Sequence, residues 1–308
     1  MTNNTSTLSG VYGTPDKELV LIPDDAKQCS PLIPESADIA ESPDAALDYF
    51  AIAAPAGTQE RRFVLAHALR ALKPSGEISV IAGKKKGGQR LKADLELLGC
   101  THIRIDSKKH QKIASCAPPA DLSQVHKAIE ENGPQLDEEL GLWSQPGIFS
   151  WNRPDPGSLL LMEHLPELSG RGADLGCGLG LLSHHVLQSE AVKSLLLIDI
   201  DRRAIEMAHR NVSDERISFL WQDARKGPKD ITDLDFIVMN PPFHDAGEED
   251  HGLGKAFMAR ASSMLRKGGI CWLVANRHLP YERAINEHFK SFTPKADSHG
   301  FKVIEAIK

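Results

Sequence analysis

Residues 172–180 read Gly172-Ala173-Asp174-Leu175-Gly176-Cys177-Gly178-Leu179-Gly180. Small and apolar residues around a carboxylate give way to three alternating glycines, and an apolar helical segment, Gly180–Gln188, follows. The pattern predicts a buried strand, Gly172–Leu175, turning sharply into a helix. Glycines at such a turn accept positive φ and let a ligand reach main-chain N–H groups. A dinucleotide fingerprint would place its third glycine where this chain has Leu181. Asp174, at the strand end, suits a cationic ligand better than a pyrophosphate. S-adenosylmethionine, with its ammonium and sulfonium, is such a ligand.

Downstream, the strand Ser194–Ile200 carries Asp199, 25 residues after Asp174. A carboxylate at the end of a second strand can accept both ribose hydroxyls of a nucleoside. Asp201 reads as the N-cap of the helix Arg202–Asn211. A third strand, Ile217–Trp221, runs into Asp223, which can accept an adenine amine or serve as a turn carboxylate. The strand Phe236–Met239 ends in Asn240-Pro241-Pro242-Phe243. Two prolines directly after a strand stop its pairing and stiffen the backbone. They hold the Asn240 side chain and the Asn240 and Pro241 carbonyls as acceptors for a planar NH₂ group, with Phe243 offering a stacking face.

The same alternation of strand and helix fills the rest of the chain and predicts an α/β layer fold. In the first half, Ala45–Ala53 reads as a strand, Glu60–Leu72 as a helix, Glu77–Ala82 as a strand, Gln89–Leu98 as a helix and Ile103–Ile105 as a strand; Leu19–Pro23 is a further candidate strand. Pro118-Pro119, Gly133-Pro134, an acidic cluster and Pro146-Gly147 mark a domain connection between about 125 and 145, giving domains 1–135 and 136–308. In the second half, Ser158–Leu165 and Lys255–Leu265 read as helices, Ile270–Val274 as a strand, and Phe292–Ile307 as two antiparallel strands. Residues 62–84 slide onto 255–277 with Ala66, Ala68, Leu72, Gly76 and Ala82 meeting identical residues, and Asp48–Pro55 lies on Asp235–Pro242. An ancient duplication accounts for both matches. Ala53-Ala54-Pro55-Ala56 stands where the second half has its Asn-Pro-Pro-Phe, and the first half shows no counterpart of Gly176, Gly178 and Gly180. It reads as a copy that has lost its chemistry.

The second half resembles the class I S-adenosylmethionine-dependent methyltransferases that act on amines, and more closely the RsmC/RlmG family of ribosomal RNA guanine-N2 methyltransferases. The resemblance rests on Pro146–Ser150, Asp155–Ser158, Asp174–Gly180, Asn240–His244, Val274–Leu279 and Phe301–Val303. It implies two tandem Rossmann-like methyltransferase domains, the N-terminal one degenerate and a candidate for RNA binding. It implies that Gly176, Gly178 and Gly180 contact the cofactor, Asp174 its methionine end, Asp199 its ribose and Asp223 its adenine. Asn240, Pro241 and Pro242 would orient the target amine and Phe243 would stack on the base, while Phe149, Asp155 and Ser158 would border the pocket as further cofactor-binding residues. His244 reads as structural and Cys177 as packing. The implied target is small-subunit (16S) rRNA; large-subunit rRNA and a protein glutamine amide are the alternatives, a small-molecule or DNA amine is a further option, and no metal is implied. A dehydrogenase leaves Asn240–Phe243 unexplained, and a non-enzymatic RNA-binding factor leaves the intact site unexplained.

Composition agrees with a soluble enzyme: 41% hydrophobic and 25% charged residues, with no apolar run near membrane-spanning length and no signal-like N-terminus. Five scattered cysteines without a CxxC pair suit a reducing cytoplasm. The net charge of −6 hides a segregation, because residues 1–60 carry 2 basic and 10 acidic side chains and residues 61–112 carry 13 and 4. Lys84, Lys85, Lys86, Lys108, Lys109 and Lys112 are the candidate contacts to RNA or a ribosomal subunit. The oligomeric state is left open, a monomer included.

Overall fold

The computed structural model describes residues 8–139, 141–242, 244–245, 248–249, 251–279 and 281–308. The chain divides into one unit ending at Pro134, joined by Gln145–Gly147, and a second made of Gln135–Ser144 and Ile148–Lys308. No helix among the described residues is long and apolar enough to cross a membrane.

The first unit runs β1 (Ser9–Tyr12), β2 (Lys27–Gln28), β3 (Leu47–Ala53), α1 (Thr58–Ala71), β4 (Leu72–Gly83), α2 (Leu91–Leu97), β5 (Arg104–Lys108), β6 (Gln111–Cys116) and α3 (Ser123–Asn132). One sheet has the order β2-β1-β3-β4-β6-β5, parallel as far as β4, with β6 antiparallel to both its neighbours. Helix α1 buries Val64, Leu65 and Leu69 in one core with Phe50, Ile52, Ile78 and Val80 of the sheet. Leu19–Pro23 is not a strand. The Asp16 carbonyl takes the N–H groups of both Leu19 and Val20, so the run closes into a turn that buries Val20 against Val11, Ala51 and Ile81. The expected connection is also more ordered than its prolines and glycines indicate. It contains α3, whose Val125 and Ala128 are buried at helical spacing, and an antiparallel pair formed by β7 (Gln135–Asp137) and β8 (Leu142–Ser144).

The second unit continues with α4 (Pro156–His164), β9 (Gly170–Leu175), α5 (Leu181–Val186), β10 (Val192–Asp199), α6 (Arg202–Asn211), β11 (Ile217–Trp221), β12 (Leu234–Met239), the short β13 (His244–Asp245) and β14 (Glu248–Glu249), α7 (His251–Met264), β15 (Leu265–Asn276), α8 (Tyr281–His288), β16 (Ser291–Ser298) and β17 (Phe301–Ile307). Its main sheet has the order β11-β10-β9-β12-β15-β17-β16. The first five strands are parallel, and β17 is antiparallel to β15 and to β16. The strand order reverses between β9 and β12, which opens a crevice at their carboxyl ends.

The first sheet repeats this topology without an equivalent of β11. The repeat extends to side chains. Lys73 bonds Asp48 in the first unit as Arg266 bonds Asp235 in the second, each at 2.7 Å. The two aspartates also accept the N–H of Leu8 and Arg171 at the start of the first strand of each sheet. Gly76 and Gly269 occupy one matched position, where a Cβ would lie within about 3.1 Å of main-chain carbonyls. One glycine of the ligand turn also persists, contrary to the sequence reading: Gly13, φ 71°, follows β1 as Gly176, φ 80°, follows β9. Where α7 has Gly254, α1 has Arg61. Its buried guanidinium bonds Asp94 at 2.7 Å and the carbonyls of Pro55 and Ala56 at 3.1 and 2.9 Å. These carbonyls belong to the matched loop after β3, so the first unit has turned its copy of that loop into a clasp. Of the six candidate lysines, Lys109 is neutralised by Asp16 and Glu18. The Lys84 N–H bonds the His110 carbonyl and ties the exposed Lys84–Lys86 loop to the β5–β6 turn.

Candidate active site

The turn after β9 takes left-handed backbone at Gly176, Gly178 and Gly180, with φ of 80°, 53° and 84°. Side chains resist that conformation. At Gly180 a Cβ would also strike Val212 at 2.8 Å, whereas the space over Gly178 is open and over Gly176 nearly so. The first two therefore leave space open beside the turn, and the third serves packing. The Asp199 carboxylate, at the end of β10, accepts the Gly178 N–H and the Asp201 N–H, both at 2.9 Å. Burial pushes its pKa up to about 6. Asp174 is fully buried and accepts a bond from the Ser183 hydroxyl at 2.7 Å, while its Oδ1 has no partner. Burial, opposed by Ser183 and reinforced by the charge of Asp199, pushes Asp174 up to about 7. An ammonium group brought to that oxygen would favour the carboxylate form. Burial, reinforced by the charges of Asp199 and Asp174, also raises the pKa of the Cys177 thiol.

Asn240 stands where β12 ends. Its Nδ2 donates to Asp155 Oδ2 at 2.8 Å and Ser158 Oγ at 2.9 Å, and its buried Oδ1 has no partner. Asp155 is the N-cap of α4, accepting the Ser158 N–H at 2.7 Å, and Pro156 starts the helix with its fixed φ. Pro241 is buried and Pro242 exposed.

A cavity of about 270 Å³ brings together Gly176, Cys177, Gly178, Phe149, Asp155, Ser158 and Asn240. Phe149 is 62% exposed and borders it with an apolar ring. Asp199 reaches this cavity through the Gly178 N–H, and Asp174 lies on the strand below. Asp223 does not line it. Its carboxylate takes the main-chain N–H, Nε and Nη2 of Arg225, the turn arrangement that the sequence left as one of two readings. Burial opposes ionisation there, yet these bonds hold its pKa below the usual carboxylate value. These bonds take three of the carboxylate's roughly four lone-pair sites, and the Lys226 ammonium lies 3.6 Å from Oδ2. Phe243 lies outside the described residues, as does the side chain of His244. Glu139 and Arg153 line the cavity and were not foreseen, because both sit in irregular segments without periodicity. Ser183, which holds Asp174, was also missed; it reads in sequence as an ordinary helical residue.

A family model for the methyltransferase small domain matches residues 139–305. The chain is 31% identical over 239 residues to the ribosomal RNA small subunit methyltransferase C of Shewanella sediminis (strain HAW-EB3), covering 75% of this chain and 68% of that protein. It is 30% identical over 278 residues to the protein of the same name from Acinetobacter baumannii (strain AYE), covering 86% and 81%. Among solved structures, a T. thermophilus 16S rRNA N2 methyltransferase, RsmC, solved with AdoMet and guanosine, superposes with a TM-score of 0.80 over 98% of this chain and 88% of that one, at 24% identity. That likeness fixes the fold as the tandem class I methyltransferase architecture.

Proposed function

The chain belongs to the methyltransferase small-domain family and to its ribosomal RNA small subunit methyltransferase C members, and from this premise we propose that it transfers the S-adenosylmethionine methyl group to the N2 amine of a guanine in small-subunit rRNA. The observation that carries the reading is the Asn240 carboxamide. Both its N–H groups are occupied, and its buried oxygen is left as an acceptor beside the glycine turn. An oxygen so placed suits a substrate N–H.

The residues present fit the cofactor. The open space over Gly176 and Gly178 would admit its main body, the orphaned Asp174 Oδ1 would take its ammonium, and Asp199 would take its ribose hydroxyls. Bound there, S-adenosylmethionine supplies an activated methyl electrophile, so the protein's work is approach and orientation. Accepting one N–H at Asn240 Oδ1 fixes the plane of the target amine. The methylated nitrogen sheds its second proton to water, so no general base is needed. Holding both partners aligned can contribute ~7–11 kcal/mol.

The direct test offers the purified protein radiolabelled S-adenosylmethionine with small subunits, large subunits, both naked rRNAs and a protein extract. Label in small-subunit rRNA, recovered as N2-methylguanosine, is expected. Label in large-subunit rRNA or in protein glutamine overturns the target. The Lys84–Lys86 loop is proposed as an RNA-binding element of the first unit. Changing all three lysines to glutamate is expected to weaken RNA binding and to flatten its dependence on log salt by about 0.7–0.9 for each phosphate no longer neutralised. An unchanged slope in filter-binding titrations removes the loop from the interface.

A further inference from the structure

We infer that Asp155 is a positioning residue that decides which end of the Asn240 carboxamide faces the target amine, an inference that rests on the function proposed above. The two ends of a carboxamide have nearly the same shape and exchange by a half-turn about the last side-chain bond. Only partners of fixed polarity can choose between them. Here the choice begins at the main chain. The Ser158 N–H can only donate, and it bonds Asp155 Oδ2 at 2.7 Å. The same oxygen accepts Asn240 Nδ2 at 2.8 Å, 85 residues away in sequence. A flipped carboxamide would set two oxygens against each other at that separation. Ser158 Oγ, at 2.9 Å, is a hydroxyl that donates or accepts and would follow either orientation. Polarity therefore passes from a backbone N–H through the carboxylate to the carboxamide, and leaves Oδ1 as the group offered to the substrate. Gly157 bears on the same oxygen: a Cβ there would lie 2.9 Å from Asp155 Oδ2 and 3.0 Å from the Phe301 ring. The helix start is thus shaped around this carboxylate as well as capped by it.

Capping and positioning separate in two variants. In Asp155→Ser the hydroxyl is as good a cap, but it is one bond shorter and stops short of Asn240. In Asp155→Asn the carboxamide oxygen can take both N–H donors. Wild type, Asp155→Ser and Asp155→Asn would be compared for methyl transfer to small subunits, for S-adenosylmethionine affinity by calorimetry and for Tm. Asp155→Ser is expected to keep its Tm and its cofactor Kd within about twofold, while kcat falls about 30-fold, less than the ~10²–10³-fold typical of deleting a transition-state hydrogen-bonding group. KM for the subunit stays within about threefold, and Asp155→Asn recovers at least about a third of the wild-type kcat. An Asp155→Ser enzyme with wild-type kcat overturns the inference. So does a loss of kcat in both variants that follows their Tm, which is the signature of a cap alone. Absence of transfer by the wild type overturns the proposed function instead, before either variant is read.

Discussion

Asn240→Ala is expected to lower kcat for methyl transfer by about 10²–10³-fold while changing S-adenosylmethionine affinity by less than about threefold. The carboxamide oxygen is buried and already stripped of water, so a bond to an incoming N–H costs no further desolvation on the acceptor's side. A group preorganised in this way acts mainly on the reacting geometry. The cofactor contacts assigned to Gly176, Gly178, Asp174 and Asp199 come from the β9 and β10 ends and do not pass through Asn240. The measurement is single-turnover methyl transfer beside calorimetric binding of the cofactor. Parallel loss of both quantities would mean that Asn240 holds the cofactor crevice together, and the role in orienting the amine would have to be given up.

What could be read from residues alone followed the reach of the interactions. The glycine turn, the Asp201 cap and the strand-ending Asn240–Pro242 are local patterns, and each lies where its spacing predicts. The duplication was visible because the same packing problem recurs. Gly76 and Gly269 avoid the same carbonyl crowding, and the Asp48–Lys73 pair reappears as Asp235–Arg266. Contacts between distant segments had no such trace. Nothing in Asp155–Ser158 announces a bond to Asn240, since a capped helix start looks the same whether or not its carboxylate has a second partner. Asp223 is the opposite case, a carboxylate whose local partner is legible. The Asp-x-Arg spacing that occupies it occurs also at Asp201–Arg203 and Asp214–Arg216, and all three form the same local pair. The composition of 118–147 masked α3 because prolines and glycines that bound a helix look like those of a linker.

Asp94→Ala is expected to destabilise the first unit by about 3–5 kcal/mol, since it strands a guanidinium in the interior. Arg61 and Asp94 are each about 1% exposed, and Asp94 also accepts Arg62 Nε at 2.9 Å. Removing the carboxylate takes its charge away from Arg61 and leaves the guanidinium bonded to the neutral Pro55 and Ala56 carbonyls, in a site where Gly87 has already given up its Cβ to make room. Removing both charges is different. Arg61→Met combined with Asp94→Leu keeps the volume without the stranded ion and is expected to recover most of the loss. Urea unfolding of the full chain, with and without S-adenosylmethionine, makes the assignment. Cofactor raises the stability of the unit that binds it, so a transition that does not move with cofactor but moves with Asp94→Ala belongs to the first unit. If the chain unfolds in one transition, its midpoint falls by the corresponding amount. A midpoint unchanged by Asp94→Ala would mean that the Pro55 and Ala56 carbonyls alone suffice for Arg61, and that the clasp does not stabilise the loop. The predicted loss instead makes the clasp a support of the loop after β3, whose Pro55 and Ala56 carbonyls are satisfied from within the unit by the buried Arg61 guanidinium.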